Sequence, residues 1–503
     1  MKAIMVMYDS LRRDLLSVNG GPIPTPNFER LAAHTAQFDC CYVGSLPCMP
    51  ARRELHTGRY NFLHRDWGPI EPYDDSMPQI LKENGIYTHL STDHYHYVED
   101  GGCTYHSRYS SWVCNRGQES DAWTADLTPP PSEYSPHLMG TKNMSGTLAA
   151  MRRKGGWQNE HNRQKVQSEA DFAMCQTFDN GIEFLDRNGK FDNWFLQIET
   201  FDPHEPFTAP ESFDARYFSP DDPFVPDWPP YANVQEDGKT VENMRKKYYA
   251  LTEFCDRQLG RVLDKMDELN LWQDTMLIVN TDHGFFLAEH GWWGKGVLPN
   301  YEELVHTPLF LWDPRCPSAM GQHRQALVQT IDLAPTLLDF FGVKIPPDMM
   351  GKPLGDIIAN GAPVRQYALF GYHGAPVGIT DGRWVLLRAV ADNSVEMYEY
   401  THMPTRMRAL FSVQEMRTAT LHPGFSFTKG APVMKIKSLV NPRFVKAQAE
   451  GEDLLFNLEQ DPAQQHPVDD KTKTNELLDA MAHLFAENDA PDELYARFGL
   501  KKP

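Results

Sequence analysis

The chain is short of three things: cysteine, basic charge and long apolar runs. Its 503 residues include eight cysteines, at 40, 41, 48, 103, 114, 175, 255 and 316, with no Cys-x-x-Cys pair among them. That spacing excludes a disulfide scaffold or a zinc-ribbon type of site and reads as free thiols. Lys plus Arg number 48 against 68 Asp plus Glu, a net charge of −20. Nucleic acid is thereby excluded as the main partner, because phosphate binding needs a clustered basic surface. No stretch approaches the roughly 20 apolar residues of a membrane-spanning helix. The opening run from Ala3 to Tyr8 is too short for an export signal and meets an acid at Asp9. The expectation is an acidic cytoplasmic protein with no membrane partner. What the chain does have is a hydrophobic fraction of 41% and an aromatic fraction of 12%, enough for a large core.

Strand-like and helix-like stretches alternate through the first two-thirds. Ala3 to Tyr8 suits a strand buried on both faces. Thr25-Pro26 offers an N-cap and a first-turn proline for a helix through Ala33. Met77 to Asn84 reads as a helix stopped by Gly85, and Tyr87 to Ser91 as a strand. Asp171 to Leu185 reads as a helix, followed by a strand at Trp194 to Glu199. Apolar residues from Tyr248 to Leu269 recur every three or four positions, the mark of a long amphipathic helix, with a strand at Met276 to Asn280 behind it. This order implies an α/β fold, a large mostly parallel central sheet flanked by helices. Pro203 to Pro230 holds eight prolines and should be irregular, and Thr128 to Pro131 opens a second loop-rich stretch. After Gly342 short strands take over, at Tyr367 to Tyr372 and Arg383 to Arg388, with a helix at Glu476 to Glu487. We therefore expect a catalytic α/β domain over residues 1–365 and a smaller C-terminal α+β subdomain over 366–503.

One segment carries chemistry: Cys48-Met49-Pro50-Ala51-Arg52-Arg53-Glu54-Leu55-His56-Thr57-Gly58-Arg59. Pro50 suits a first helical turn, so Cys48 should open a helix, with Arg52 one turn on and on the same side. A helix N-terminus beside a cation is an anion-binding spot. The segment also resembles the sulfatase signature Cys-x-Pro-x-Arg followed by Thr-Gly. Asp9-Ser10-Leu11-Arg12, Thr25-Pro26-Asn27, Thr281-Asp282-His283-Gly284, Gly294-Lys295, Tyr301-Glu302-Glu303, Thr307-Pro308-Leu309, Ile331 to Thr336 and Leu455 to Pro462 support the resemblance in the same order. It covers residues 1 to about 345 well and rests beyond that on the last segment alone. The family belongs to the alkaline phosphatase superfamily, and phosphonate monoester hydrolases are close relatives.

The resemblance implies a hydrolase of sulfate esters in which Cys48 is oxidised to Cα-formylglycine by a maturation enzyme. One hydroxyl of the hydrated aldehyde would attack sulfur, and loss of the second hydroxyl's proton would release the product and regenerate the aldehyde. Asp9, Asp282, His283 and the modified residue 48 would hold one divalent metal, with Ser10 as a further candidate ligand. Asp9 and Asp282 each follow an apolar strand, and converging carboxylates repel unless a cation sits between them. Arg52 and Lys295 would bind the transferring group, and His204 or Lys295 would protonate the leaving alcohol.

Three departures bear on the chemistry. Most sulfatases carry two adjacent acids where this chain has Asp9-Ser10, and many have Asn where it has His283. Calcium comes first by resemblance, with manganese close behind because imidazole suits it better. The family's Gly-Lys-x-His element is Thr92-Asp93-His94-Tyr95-His96 here, so His94 or His96 would have to replace the lysine as a substrate donor. These differences keep a phosphonate monoester or phosphodiester hydrolase as the alternative. The aromatic and ionic cluster His106, Arg108, Trp112, Arg116, Gln118, Glu119 and Trp123 would suit a sugar or is structural. The expected substrate is an organic sulfate ester, a small molecule or an oligosaccharide. The sequence carries no indication of the oligomeric state.

Overall fold

A computed structural model describes residues 1–129, 131–141, 146–296, 299–439 and 452–503. Eight strands form the central sheet: β1 (Lys2–Tyr8), β2 (Ala36–Phe38), β3 (Tyr87–Thr92), β4 (Ser111–Cys114), β5 (Trp194–Glu199), β6 (Thr275–Thr281), β7 (Leu309–Trp312) and β8 (His323–Arg324). Their order across the sheet is β8-β2-β7-β6-β1-β5-β3-β4. All neighbours are parallel except those made by β7, which runs antiparallel to β6 and β2. The sheet is thus mostly parallel, as the alternating pattern implies.

β1 lies in the middle with all seven residues buried. Side chains alternate across a strand, so Ile4, Val6 and Tyr8 face one layer and Ala3, Met5 and Met7 the other. The first set joins a core with Leu251, Leu259 and Val262 of the long helix Gly238–Glu268. The second joins a core with Leu337 and Leu338 of the helix Leu333–Phe340. A strand covered on both faces must be apolar throughout, which is why it reads as one continuous run.

Three local readings need amendment. The helix after Thr25 spans Pro26–His34, but the Thr25 side chain makes no cap; its hydroxyl lies 2.9 Å from Ser17 Oγ instead. The helix expected from Asp171 begins at Ala173, because Ser168 and Asp171 close a capping box around a short 3-10 turn first. A helix at Gly146–Arg163 has no counterpart in the sequence reading. Gly155 and Gly156 sit inside it and lower its propensity. A Cβ at Gly156 would lie 2.6 Å from Leu138 Cδ1, so tertiary packing there requires the glycine.

The C-terminal strands are β9 (Ala368–Gly371), β10 (Val377–Thr380), β11 (Trp384–Arg388), β12 (Tyr398–Thr401), β13 (Thr420–His422), β14 (Val433–Lys437) and β15 (Leu454–Asn457). They form two antiparallel sheets, β9-β10-β11-β15 and β12-β14-β13. The larger sheet shares a core with Tyr42, Leu46 and Ala51, which flank or lie in the helix opened by Cys48. Between β12 and β13 a turn bridged by Thr405 and Leu410 reaches back to residue 101, whose N–H donates to the Met407 carbonyl at 2.8 Å.

Candidate active site

Register brings four strand ends to one level. In β1, Met7 pairs with Glu199 of β5 and Tyr8 with Thr281 of β6; in β3, Thr92 pairs with Glu199. The residues at or just past those ends are Asp9, Glu199, Asp282 and Asp93-His94. Ligands bind at the carboxyl edge of such a sheet. Against it stands the helix Cys48–Thr57, with Cys48 as its first residue.

Cys48 Sγ lies 3.1 Å from Lys295 Nζ, 3.5 Å from His283 Nε2 and 3.8 Å from Asp9 Oδ1. One turn on, Arg52 is fully buried. Its Nε donates to Glu199 at 2.6 Å, and its Nη1 lies 2.8 Å from Asp282 Oδ2 and 3.0 Å from Asp9 Oδ2. Arg52 Nη2 and Asp9 Oδ2 are buried with no hydrogen bond of their own. Ser10, at φ 65°, donates from its N–H to Asp282 Oδ1 and from its hydroxyl to Asp9 Oδ1. Lys295 Nζ donates to Ser10 Oγ at 2.9 Å and lies 3.3 Å from Asp9 Oδ1.

The charges are unequal. Burial works against an ionised Asp9, but Lys295 and Arg52 outweigh it and hold Asp9 well below the usual carboxylate range. Burial, and then the charge of Asp9, push Asp282 up to about 8. Burial would lower Lys295, but Asp9 and Cys48 keep it charged. The Cys48 thiol is pushed well up by burial and then by Asp9, so an unmodified thiol here is a poor nucleophile.

The donor set fits a divalent cation. One donor atom each from Asp9, Cys48, Asp282 and His283 falls within a span of 4.8 Å, all four residues buried. His283 Nδ1 donates to the Gly284 carbonyl at 2.8 Å, which leaves the Nε2 lone pair facing the cluster, 3.5 Å from both Lys295 Nζ and Cys48 Sγ. Burial and Lys295 hold its imidazole down at about 3, so it stays neutral. Gly284 is required beside it, since a Cβ would fall 2.0 Å from the Glu303 carbonyl oxygen.

The two candidate replacements for the missing lysine part company. His94 lies against the cluster, Nε2 3.6 Å from Asp9 Oδ2, and neither ring nitrogen has a hydrogen-bond partner. Burial and Arg52 bring it down to about 4. His96 sits on the far side of a 3-10 turn, with Nδ1 2.6 Å from Glu99 Oε2 and Nε2 3.0 Å from Arg408 Nη2. Its donor and acceptor are both engaged, so it is not a free donor at the sulfur position. His204 Nδ1 donates to the Glu205 carbonyl at 2.7 Å and its ring stacks on Phe201. Burial and Lys295 hold His204 well below its ordinary value.

A family model described as Sulfatase matches residues 2–343. The chain belongs to the sulfatase family. A second model, described as N-sulphoglucosamine sulphohydrolase, C-terminal, matches residues 288–422 of this sulfatase. Among curated relatives, an arylsulfatase of Clostridium perfringens is 24% identical over 71% of this chain and 78% of its own. An N-acetylglucosamine-6-O-sulfatase of Bacteroides thetaiotaomicron is 23% identical over 82% and 83%. Among solved structures, one in complex with its substrate D-glucosamine-2-N,6-O-disulfate covers 98% of this chain and 99% of its own at TM-score 0.65 and 16% identity. The phosphonate monoester hydrolase of Agrobacterium radiobacter covers 96% and 95% at TM-score 0.61 and 19% identity. At such identities these structures speak for the fold of this sulfatase alone.

Sequence reading missed Glu199, Arg408 and Glu205. Glu199 ends a strand legible in the sequence, but its level with Asp9 comes from the pairing of β5 with β1. Arg408 arrives from a distant turn and left none. Within the aromatic and ionic cluster, Gln118 Nε2 joins Asp93 and Asp202, and Glu119 Oε2 accepts from the Tyr95 hydroxyl at 2.8 Å. Arg108 and Arg116 instead pair with Gln79 and Asp121, and His106 packs on Trp112.

Proposed function

We propose that the protein hydrolyses a sulfate ester of an organic alcohol, a carbohydrate sulfate first, with residue 48 as formylglycine and a divalent metal at Asp9, Asp282, His283 and residue 48. The carrying observation is the position of Cys48 at a helix start, against Lys295, His283 and Asp9, in a chain of the sulfatase family. Curated relatives named for sugar sulfates support the carbohydrate class. Calcium is the first candidate by family and manganese the second by the imidazole donor. The catalytic residues fall in a domain of residues 1–365, with 366–503 as a smaller subdomain lying against it.

When bound, the cation supplies Lewis-acid polarisation of the ester and lowers the pKa of a coordinated hydroxyl. The hydrated aldehyde supplies the nucleophilic hydroxyl, and its second hydroxyl the route to release. The chain's own residues do the rest. Arg52 screens the two carboxylates from each other, and its unpartnered Nη2 is a donor for the ester's anionic oxygens. His94, neutral and unpartnered, donates to the same group where relatives use a lysine. Asp282, in its ionised form, takes the nucleophile's proton. Lys295 is protonated at rest and delivers that proton to the leaving alcohol. His204 in its resting state carries its hydrogen on Nδ1, toward the Glu205 carbonyl, so its Nε2 accepts a hydrogen bond and has no proton to give. Ser10 orients Asp9 and Asp282.

The departures at Ser10 and His283 favour a second reading, a phosphonate monoester or phosphodiester hydrolase on the same residues. Matched aryl sulfate and aryl phosphonate monoesters separate the two. The proposal expects a higher kcat/KM on the sulfate, and a ratio well below one rejects it.

A further inference from the structure

On the wall of the site, Arg408 is set up as a ligand-binding group. It comes from the Thr405–Leu410 turn of the C-terminal region. That turn is anchored on the catalytic side twice, by the Gly101 N–H on the Met407 carbonyl and by Arg65 Nη2 on the Thr405 carbonyl. The Thr405 hydroxyl closes the turn on the Arg406 and Ala409 carbonyls. Each of these bonds fixes the backbone that carries Arg408.

Its side chain is aimed by a chain of neutral and acidic partners. Glu99 accepts from His96 Nδ1, so His96 Nε2 has a lone pair, and that lone pair accepts from Arg408 Nη2 at 3.0 Å. The same Nη2 lies 3.3 Å from the Tyr95 hydroxyl, which itself donates to Glu119. The nearest carboxylate approach is loose, Nε to Glu99 Oε2 at 3.7 Å, and Nη1 donates to no described residue. Trp67 lies under the guanidinium at 5.7 Å. The side chain keeps 56% of its surface exposed, and the His96 ring that accepts from it lies 5.1 Å from the ring of His94, which stands against Asp9. A guanidinium held in place by neutral acceptors, with one terminal nitrogen that has no described partner, lacks the tight carboxylate that a structural arginine has. Arg12, Arg65 and Arg365 all have one.

We propose that Arg408 binds a second oxyanion, a sulfate or a carboxylate, on the alcohol side of the substrate, and that Glu99 and His96 are its positioning residues. This rests on the sulfatase reading for the identity of the first group. The substrate class is accordingly a doubly anionic sugar. Glu99 and Glu119 beside Arg408 disfavour an oxyanion that misses the guanidinium, which sharpens selection for one geometry.

The test is calorimetric binding to the Cys48→Ala protein, which does not turn ligand over. Probes are a hexosamine 6-O-sulfate, the same sugar with an added N-sulfate, and a uronic acid O-sulfate as the carboxylate arm. The expected result is that a second anion, in at least one arm, tightens Kd about tenfold, and that adding Arg408→Ala removes this gap while changing the monosulfate Kd less than about twofold. Whichever arm shows the gap identifies the anion. A gap that survives Arg408→Ala, equal loss on the monosulfate, or no gap in either arm overturns the inference. Aryl sulfate turnover is the separate check on the sulfatase reading. Its absence in the unsubstituted, modified protein would reject that reading and leave the binding result standing.

Discussion

At the floor of the cleft, Asp9 Oδ2, Arg52 Nη2 and both nitrogens of His94 are buried without a hydrogen bond. On the wall beside it, Tyr95, His96, Glu99 and Arg408 hold one another in a continuous chain. Burying a polar group without a partner costs about 1–3 kcal/mol, more for a charged one. A floor that tolerates several such groups is suited to ligands that complete it, on the proposed function a cation and a tetrahedral anion. A wall whose groups hold one another, with one exposed nitrogen of Arg408 left over, needs no ligand to be stable and serves to orient that one group. The two regions should therefore respond differently to substitution, the floor by loss of chemistry and the wall by loss of selectivity.

The largest expected effect is at the floor. Cys48→Ala abolishes hydrolysis of every ester while the protein keeps its melting temperature within a few degrees; residual turnover at the wild-type rate would break the account. Next comes Asp282→Asn, which keeps the side-chain shape and removes a charge. It should reduce metal content and turnover by more than the roughly 10–100-fold typical of an outer-sphere partner, read by elemental analysis and kinetics on the same preparation. Arg52→Ala should lower kcat by about 10²–10³-fold, the range for removing one preorganised donor to a developing negative charge. Its binding of the metal should suffer less than its turnover.

The wall comes after these three. His96→Ala leaves the charge of Arg408 but removes its acceptor. The variant should retain aryl sulfate turnover within about threefold and lose most of any preference for a doubly anionic sugar. A uniform loss on both substrates would place His96 with the floor and erase the contrast.

The smallest effect is at the far end of the nucleophile's own helix. His56 is buried, 2.9 Å from Ser76 Oγ and packed edge-on against Tyr105 and Tyr109. Burial, then Arg108, lower it to about 3. Its unfolded value is about 6.5, so the unfolded chain takes up a proton in the window between them. Stability contributed here is present above pH 6.5 and is lost as pH falls toward 3. Replacing it with Gln keeps a partner for Ser76, so His56→Gln should lose less melting temperature between pH 7 and pH 4.5 than the wild type. Parallel curves would contradict this.

Legibility in the sequence follows the same division. β1, β5 and β6 were readable because central parallel strands must be apolar on both faces, and Asp9 and Asp282 stand out as the first acids after two of them. The start of the helix at Cys48 was readable from Pro50 alone. Glu199 was not singled out, because its meeting with Arg52 depends on sheet order, which no local pattern encodes. His94 and His96 looked equivalent in sequence. The 3-10 turn that begins at Tyr95 sends their rings to different partners, and that is visible only in three dimensions. Arg408 is more than 300 residues from His96 along the chain, and the turn that delivers it carries no signature of its own. The helix Gly146–Arg163 was hidden by two interior glycines, of which Gly156 packs against Leu138.

The central claim is that residue 48 is not a cysteine in the working protein. The direct measurement is the mass of the proteolytic peptide spanning Pro47 to Arg52, from protein made together with a formylglycine-generating enzyme. The account predicts a mass corresponding to an aldehyde or its hydrate in place of the thiol, in a fraction that rises in step with specific activity. A fully active protein whose peptide retains the intact thiol would contradict it.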